Sequence, residues 1–268
     1  MATFATPQPI TAVVEVVAGS VRLIASDRED TVVQVRPRDR NRASDVRIAE
    51  QARVDFQNGT LTVSTGKRFI SLGRGGAVDV DIALPSRSRL QASTASAAVH
   101  ADGEYADCKL ASASGDMLVH SVSGNIKADT ASGEIAVQNA NGGASISTAS
   151  GSATIGRLDG DVTFRAASGG LTVSRLRGHA SAQTASGDVT VAAAVQGAVS
   201  VQTSSGQVQI GIADGTAAQL DVRTHSGSVR NTLAHTDGPA EGEETVAVQV
   251  RTASGDIVVQ RATADAMS

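Results

Sequence analysis

TASGEIAVQNANGGASIS at 130–147, followed by TASGSATIG at 148–156, decides how this sequence is read. The nine residues opening with Thr-Ala-Ser-Gly return after eighteen, and a different nine-residue unit fills the gap. The first class reads SASGDMLVH (112–120), TASGEIAVQ (130–138), TASGSATIG (148–156), AASGGLTVS (166–174), TASGDVTVA (184–192), TSSGQVQIG (203–211) and TASGDIVVQ (252–260). The second class reads SVSGNIKAD (121–129), NANGGASIS (139–147), RLDGDVTFR, whose third residue is Asp159, and RLRGHASAQ, whose fourth is Gly178. Gly115, Gly133, Gly151, Gly169 and Gly187 keep the period of 18, which stretches to 19 at Gly206, 21 at Gly227 and 28 at Gly255. The last stretch holds the polar run AHTDGPAEGEE (234–244), which predicts a surface loop. TASAA at 94–98 reads as a degenerate first repeat with Ala97 in the glycine place.

Within a unit the second, sixth and eighth residues are small or apolar, as in Ala131, Ile135 and Val137, or Leu158, Val162 and Phe164. Residues two apart on a strand share a face, so each unit predicts strand, Gly-marked corner and strand with one face inward. A meander gives no reason for two unit classes to alternate. A coil with two units per turn does, because like then stacks on like. The expectation is an all-β chain: a parallel β-solenoid (β-helix) with about 18 residues per rung and about nine rungs. Ala113, Ala131, Ala149, Ala167, Ala185 and Ala253 form an inward column on this reading, and each repeat glycine supplies a backbone conformation, such as φ > 0, that a Cβ would strain.

The first part of the chain lacks the repeat. Alternation predicts strands at 10–17, 20–26, 31–36 and 77–84, the last ended by Pro85. Asn58-Gly59 between 54–57 and 60–64 predicts a hairpin. A short helix is expected at 44–51 with Ser44 or Asp45 as N-cap. The predicted organisation is a β-rich N-terminal cap at 1–93, solenoid repeats at 94–262 with the insertion at 234–244, and a disordered tail at 263–268.

The T-A-S-G-[DE]-[VI]-x-V repeat, the opening strand pair and the insertion before the final TASGDIVVQR resemble domain-of-unknown-function family 4097, the adhesin-like or toastrack β-strand repeat family. The resemblance spans nearly the whole chain. It implies the repeat architecture and an adhesin-like role, and assigns no chemistry.

Composition limits function. The chain has 268 residues, net charge −4, one Cys, no Trp, one Tyr and four Phe. One Cys excludes an internal disulfide framework and a Cys-rich zinc site. Five aromatics give no stacking platform for single-stranded nucleic acid, and the net charge argues against a general polyanion binder, so no nucleic-acid partner is expected. MATFATPQPI has no basic segment followed by an apolar run, and nowhere do eighteen apolar residues run together. The expectation is a cytoplasmic protein without membrane insertion.

Candidate chemistries are weak. The residues after the repeat glycines are Asp116, Glu134, Ser152, Gly170, Asp188, Gln207, Ser228 and Asp256, too interrupted for a calcium β-roll. Carboxylates are scattered rather than paired as glycoside hydrolysis requires. No serine sits in G-x-S-x-G. His100, His120, His179, His225 and His235 occupy different repeat places, which gives no metal spacing. Cys108 falls in an inward slot equivalent to Ile126. Arg36, Arg38, Arg40 and Arg42 form either a cationic stripe or a solvated loop. The T-x-S pairs at 130/132, 148/150, 184/186, 203/205, 224/226 and 252/254 form either turn-satisfying hydroxyl ladders or an ice-binding array. No catalytic, cofactor-binding or metal residue is assigned, and no cofactor. The leading functional reading is a non-enzymatic scaffold or binding module for a protein or other macromolecule. The alternatives are a carbohydrate-active enzyme on a β-helix and, more remotely, an ice-binding solenoid.

Overall fold

Hydrogen-bonded neighbours lie eighteen residues apart through the regular repeats: Ala144 pairs with Val162, Ala153 with Leu171 and Ile126 with Cys108, always in parallel. A computed structural model describes residues 1–66, 76–235, 238–240 and 242–263. Its described residues are strands joined by short turns, with one helix. The chain divides into two compact units, Met1–Ile135 and Ala136–Ser268.

The first unit contains β1 (Ala2–Ala5), β2 (Thr11–Val16), β3 (Gly19–Ser26), β4 (Asp30–Pro37), α1 (Ala43–Gln51), β5 (Arg53–Gln57), β6 (Thr60–Ser64), β7 (Val78–Pro85), β8 (Ser88–Thr94), β9 (Ala98–Ser112), β10 (Met117–Val122) and β11 (Ile126–Thr130). The long strand β9 pairs with β3 and β10 through its first part and with β8 and β11 through its second. Parallel pairing also reaches residues outside the T-A-S-G repeat: β2 lies between β6 and β8, and β3 between β7 and β9. Antiparallel β1–β4, β4–β7 and β5–β6 pairs complete the unit. The β5–β6 turn is the expected hairpin, with positive φ at Asn58 and Gly59.

The helix is present, but neither Ser44 nor Asp45 caps it. Arg42 is the N-cap and makes no side-chain cap bond. Asp45 instead is buried in the first turn and accepts hydrogen bonds from the backbone N–H groups of Asp39 and Ala77. It ties the loop before the helix to the chain entering β7.

The second unit contains β12 (Ile135–Ala140) from Ala136 onward, then β13 (Ala144–Thr148), β14 (Ala153–Asp159), β15 (Val162–Ala166), β16 (Leu171–Ser186), β17 (Val189–Ser205), β18 (Val208–Ile212), β19 (Thr216–Ser226), β20 (Val229–Asn231), β21 (Glu244–Ser254) and β22 (Ile257–Arg261). β16 pairs with β14 through residues 171–177 and with β15 through 180–184, so one strand continues past two successive neighbours, with Gly178 at positive φ between the two stretches. Repeat order departs from sequence order here. β21 lies between β17 and β19, and β22 between β18 and β20. A Cβ on Gly255 would meet the Gly206 carbonyl oxygen at 2.1 Å, and one on Gly227 would meet that of Gly255 at 2.2 Å. The stretched spacing to Gly255 is therefore the mark of an interleaved repeat.

Ile, Val and Leu at the sixth and eighth places fill the interior, among them Ile135, Val137, Ile155 and Val173. The alanine column does not. Ala113, Ala131, Ala149, Ala167, Ala185 and Ala253 are all exposed. The preceding residue is the inward one: Thr130, Thr148, Thr184 and Thr252 are buried, as is Thr203 before Ser204, while Ser112 and Ala166 are half-buried. Alternation along β11 (Ile126, Ala128 and Thr130 buried) sets this phase, so the next residue must face out.

The repeat glycines are required by close approach. Gly115, Gly133, Gly169 and Gly187 have no left-handed φ, but a Cβ on Gly169 would sit 1.9 Å from the Gly151 carbonyl oxygen. The insertion expected at 234–244 includes residues 236, 237 and 241, outside the described set, as is 264–268 of the expected tail.

Candidate functional site

Thr130, Thr148 and Thr184 close glycine corners, whereas the buried hydroxyl of Thr252 has no partner among the described residues. The Gly133 N–H donates to Thr130 Oγ1 at 3.1 Å and the Gly151 N–H to Thr148 Oγ1 at 2.8 Å. Further along, Thr184 and Thr224 hydroxyls donate to the carbonyls of Gly169 and Gly255. These hydroxyls satisfy turn backbone, as Ser and Thr do beside tight turns. With Thr130 8% and Thr184 7% exposed, no flat exposed threonine array of the ice-binding kind exists on this column.

The aspartates after the glycines are also occupied. Asp116 accepts from the Glu134 N–H at 2.9 Å, Asp188 from Gln207 at 2.7 Å and Asp256 from Ser228 at 2.8 Å. Asp107 and Asp161 do the same for Asn125 and His179. Each carboxylate staples its corner to the adjacent repeat. The Ser228 N–H, followed by its hydroxyl, holds the Asp256 carboxyl below the usual range, and His179 does so for Asp161, first through its side chain. No group of three or more His, Cys, Asp or Glu suited to a metal occurs among the described residues.

Cys108 is buried beside Ile126, in register with it, and burial pushes its thiol up to about 12. Tyr105, fully buried nearby, has a hydroxyl with no partner among the described residues, and burial raises its pKa. The four arginines of 36–42 share no stripe. Arg36 pairs with Asp81 across the sheet, Arg42 lies 3.7 Å from Asp45, and Arg38 and Arg40 belong to the loop between.

A groove of about 750 Å³ lies on the second unit, beside the outer edge of the threonine column. Its wall is a ladder of outward residues, each immediately preceding a first-class repeat. Arg165 is in register with Gln183, Gln183 with Gln202, and Gln202 with Arg251. Arg223 follows in register with Arg251 and lines an adjoining recess with it. Ala185 and Ala253 of the exposed alanine column also line it, together with His225. Among the described residues no carboxylate lines this groove. Arg223 is held by Asp221 at 3.0 Å, whereas Arg165 and Arg251 form no ion pair among the described residues. Sequence reading passed over this ladder because its members change type. The signal available was positional: all five stand just before the Thr-x-Ser or Ala-x-Ser triplet.

The chain belongs to the Toastrack DUF4097 family, whose profile matches residues 76–166 and again 160–260. No curated protein matches it. A solved structure from Parabacteroides distasonis, provisionally described as lipid binding, aligns over 96% of this chain and 95% of its own at 16% identity, with a TM-score of 0.52. Provisionally designated adhesins from Bacteroides fragilis and Parabacteroides merdae align over 97% and 98% of this chain and 95% of theirs, each at 14% identity, with TM-scores of 0.48 and 0.47. At these identities the likeness is one of fold.

Proposed function

We propose that the chain is a non-catalytic, adhesin-like binding module. Each unit is wound as a parallel β-solenoid of about 18 residues per rung, with a β-rich cap at the start of the first, and a macromolecule other than nucleic acid is recognised along the second unit's groove. The eighteen-residue register and the single strand β16 paired with both β14 and β15 support the coil. The observation that carries the binding reading is the groove lining: guanidinium, amide, hydroxyl and imidazole groups, with no carboxylate lining it among the described residues. Such a lining holds and orients a partner, and among the described residues it presents no carboxylate pair of the kind glycoside cleavage uses.

The test is capture from native cytosolic and envelope fractions on the immobilised intact chain. A macromolecule is expected to be retained, displaced by free chain, and recovered at its original length. Retention equal to that on heat-unfolded chain, or recovery of a shortened polymer, would overturn the reading; the fraction that yields the partner tests the cytoplasmic expectation.

A further inference from the structure

The groove faces out with cations and amides in a fixed order: Arg165, Gln183, Gln202, Arg251 and then Arg223. Adjacent members are one strand spacing apart, ~4.8 Å, so Arg165 and Arg251 stand ~14 Å apart with two amides between them. Arg251 and Arg223 are cross-strand neighbours of like charge, an arrangement that weakens a sheet unless something neutralises it. Asp221 serves Arg223 alone. In a chain of net charge −4, a cationic wall without a lining carboxylate is a local feature pointing to an anionic ligand.

Resting on the binding-module reading, we infer that this groove binds a linear carboxylate-bearing polysaccharide, a polyuronate, laid across the strands. Guanidinium groups pair with carboxylates through two parallel hydrogen bonds. The amides of Gln183 and Gln202 both donate and accept, which suits ring hydroxyls and carboxylate oxygens alike. A pyranose residue advances its chain by about one strand spacing, so each rung of the ladder meets one sugar. An extended acidic peptide fits less well. Its same-face side chains recur every ~6.6 Å against ~4.8 Å for the ladder. It would also gain no strand addition along β17 or β21, whose backbone groups are already engaged by neighbours on both sides.

The experiment measures binding of the full chain to polygalacturonate, its fully methyl-esterified form, dextran sulfate and poly-L-glutamate, at low and physiological salt. Arg165→Gln and Arg251→Gln are compared with Arg53→Gln, an exposed arginine of the first unit. Polygalacturonate should bind, the ester should not, and salt should weaken the complex. Each groove variant should lose about tenfold in affinity, Arg53→Gln nothing, and all should keep the parent urea midpoint. Absence of polygalacturonate binding would overturn the ligand assignment while leaving the wider reading to the capture experiment. Equal or tighter binding of dextran sulfate would reduce the effect to charge alone. Preference for poly-L-glutamate would reassign the groove to acidic peptides. Unchanged affinity in both groove variants would place the ligand elsewhere.

Discussion

Replacing Gly169 by alanine tests the stacked corners most directly. The added Cβ would stand 1.9 Å from the Gly151 carbonyl oxygen, and ordinary contact begins at 3.4 Å, a shortfall of 1.5 Å. Backbone, rather than a flexible side chain, occupies the space. Two hydrogen bonds bracket the contact: Ser168 N–H to the Ala149 carbonyl at 2.8 Å and Ala153 N–H to the Gly170 carbonyl at 2.9 Å. Opening the corner by the shortfall stretches both beyond hydrogen-bonding range, at about 1 kcal/mol each. With residual overpacking, the loss comes to about 3 kcal/mol. The neighbouring Gly170 is the control. A Cβ there would lie 3.0 Å from the Asp188 carbonyl oxygen, which a few tenths of an ångström relieve. The alanine also restricts the unfolded chain, so Gly170→Ala should stay within about 1 kcal/mol of the parent. Urea titration followed by far-UV circular dichroism separates the two: Gly169→Ala should lower the midpoint by about 1 M and Gly170→Ala should hardly move it. Equal midpoints for the two variants would refute the close-approach account.

Tyr105→Phe should raise the urea midpoint, by about 1 kcal/mol in stability, because it removes a buried hydroxyl without a partner while keeping the ring; a lower midpoint would mean that the hydroxyl is satisfied. Cys108 should react slowly with a thiol reagent in the native state and quickly in denaturant, since burial withholds both access and the thiolate; rapid native labelling would reverse the inward assignment. Asp256 is more acidic folded than unfolded, so its staple to Ser228 contributes fully above the ordinary carboxyl pKa of about 3.9 and is lost as pH falls through the lowered folded value. The drop in melting temperature between pH 5 and pH 3 should therefore be smaller in Asp256→Asn, and an identical drop would remove the staple from the account.

The repeat period was legible because parallel stacking puts like on like. Ile155 and Val173 share a register as well as a place in the unit. The phase of the corner was not legible. Alanine and threonine are both small enough for either side, and only alternation through Ile126, Ala128 and Thr130 assigns the threonine inward. Repeat order was hidden for a different reason: a repeat carries no mark of which neighbour lies above it, so Gly255 looked like the successor of Gly227 rather than its inner neighbour. The groove wall was obscure because outward positions escape the packing that keeps core residues alike. Arginine and glutamine interchange there without breaking the fold, and the register that aligns them is three-dimensional.

The interleaving of β21 and β22 sets a timetable for biosynthesis. Residues 216–231 leave the ribosome before 244–261, yet the only strands they pair with among the described residues are those of the later segment. The nascent chain must hold them unengaged until residue 261 is available, then close the layer with the late segment inside and the early one outside. The same delay governs residues 11–26, whose neighbours on both sides are synthesised after them. Layers cannot simply be added in order of translation, and a stall between residues 231 and 244 would leave an unpaired strand waiting, a state that invites pairing with another chain.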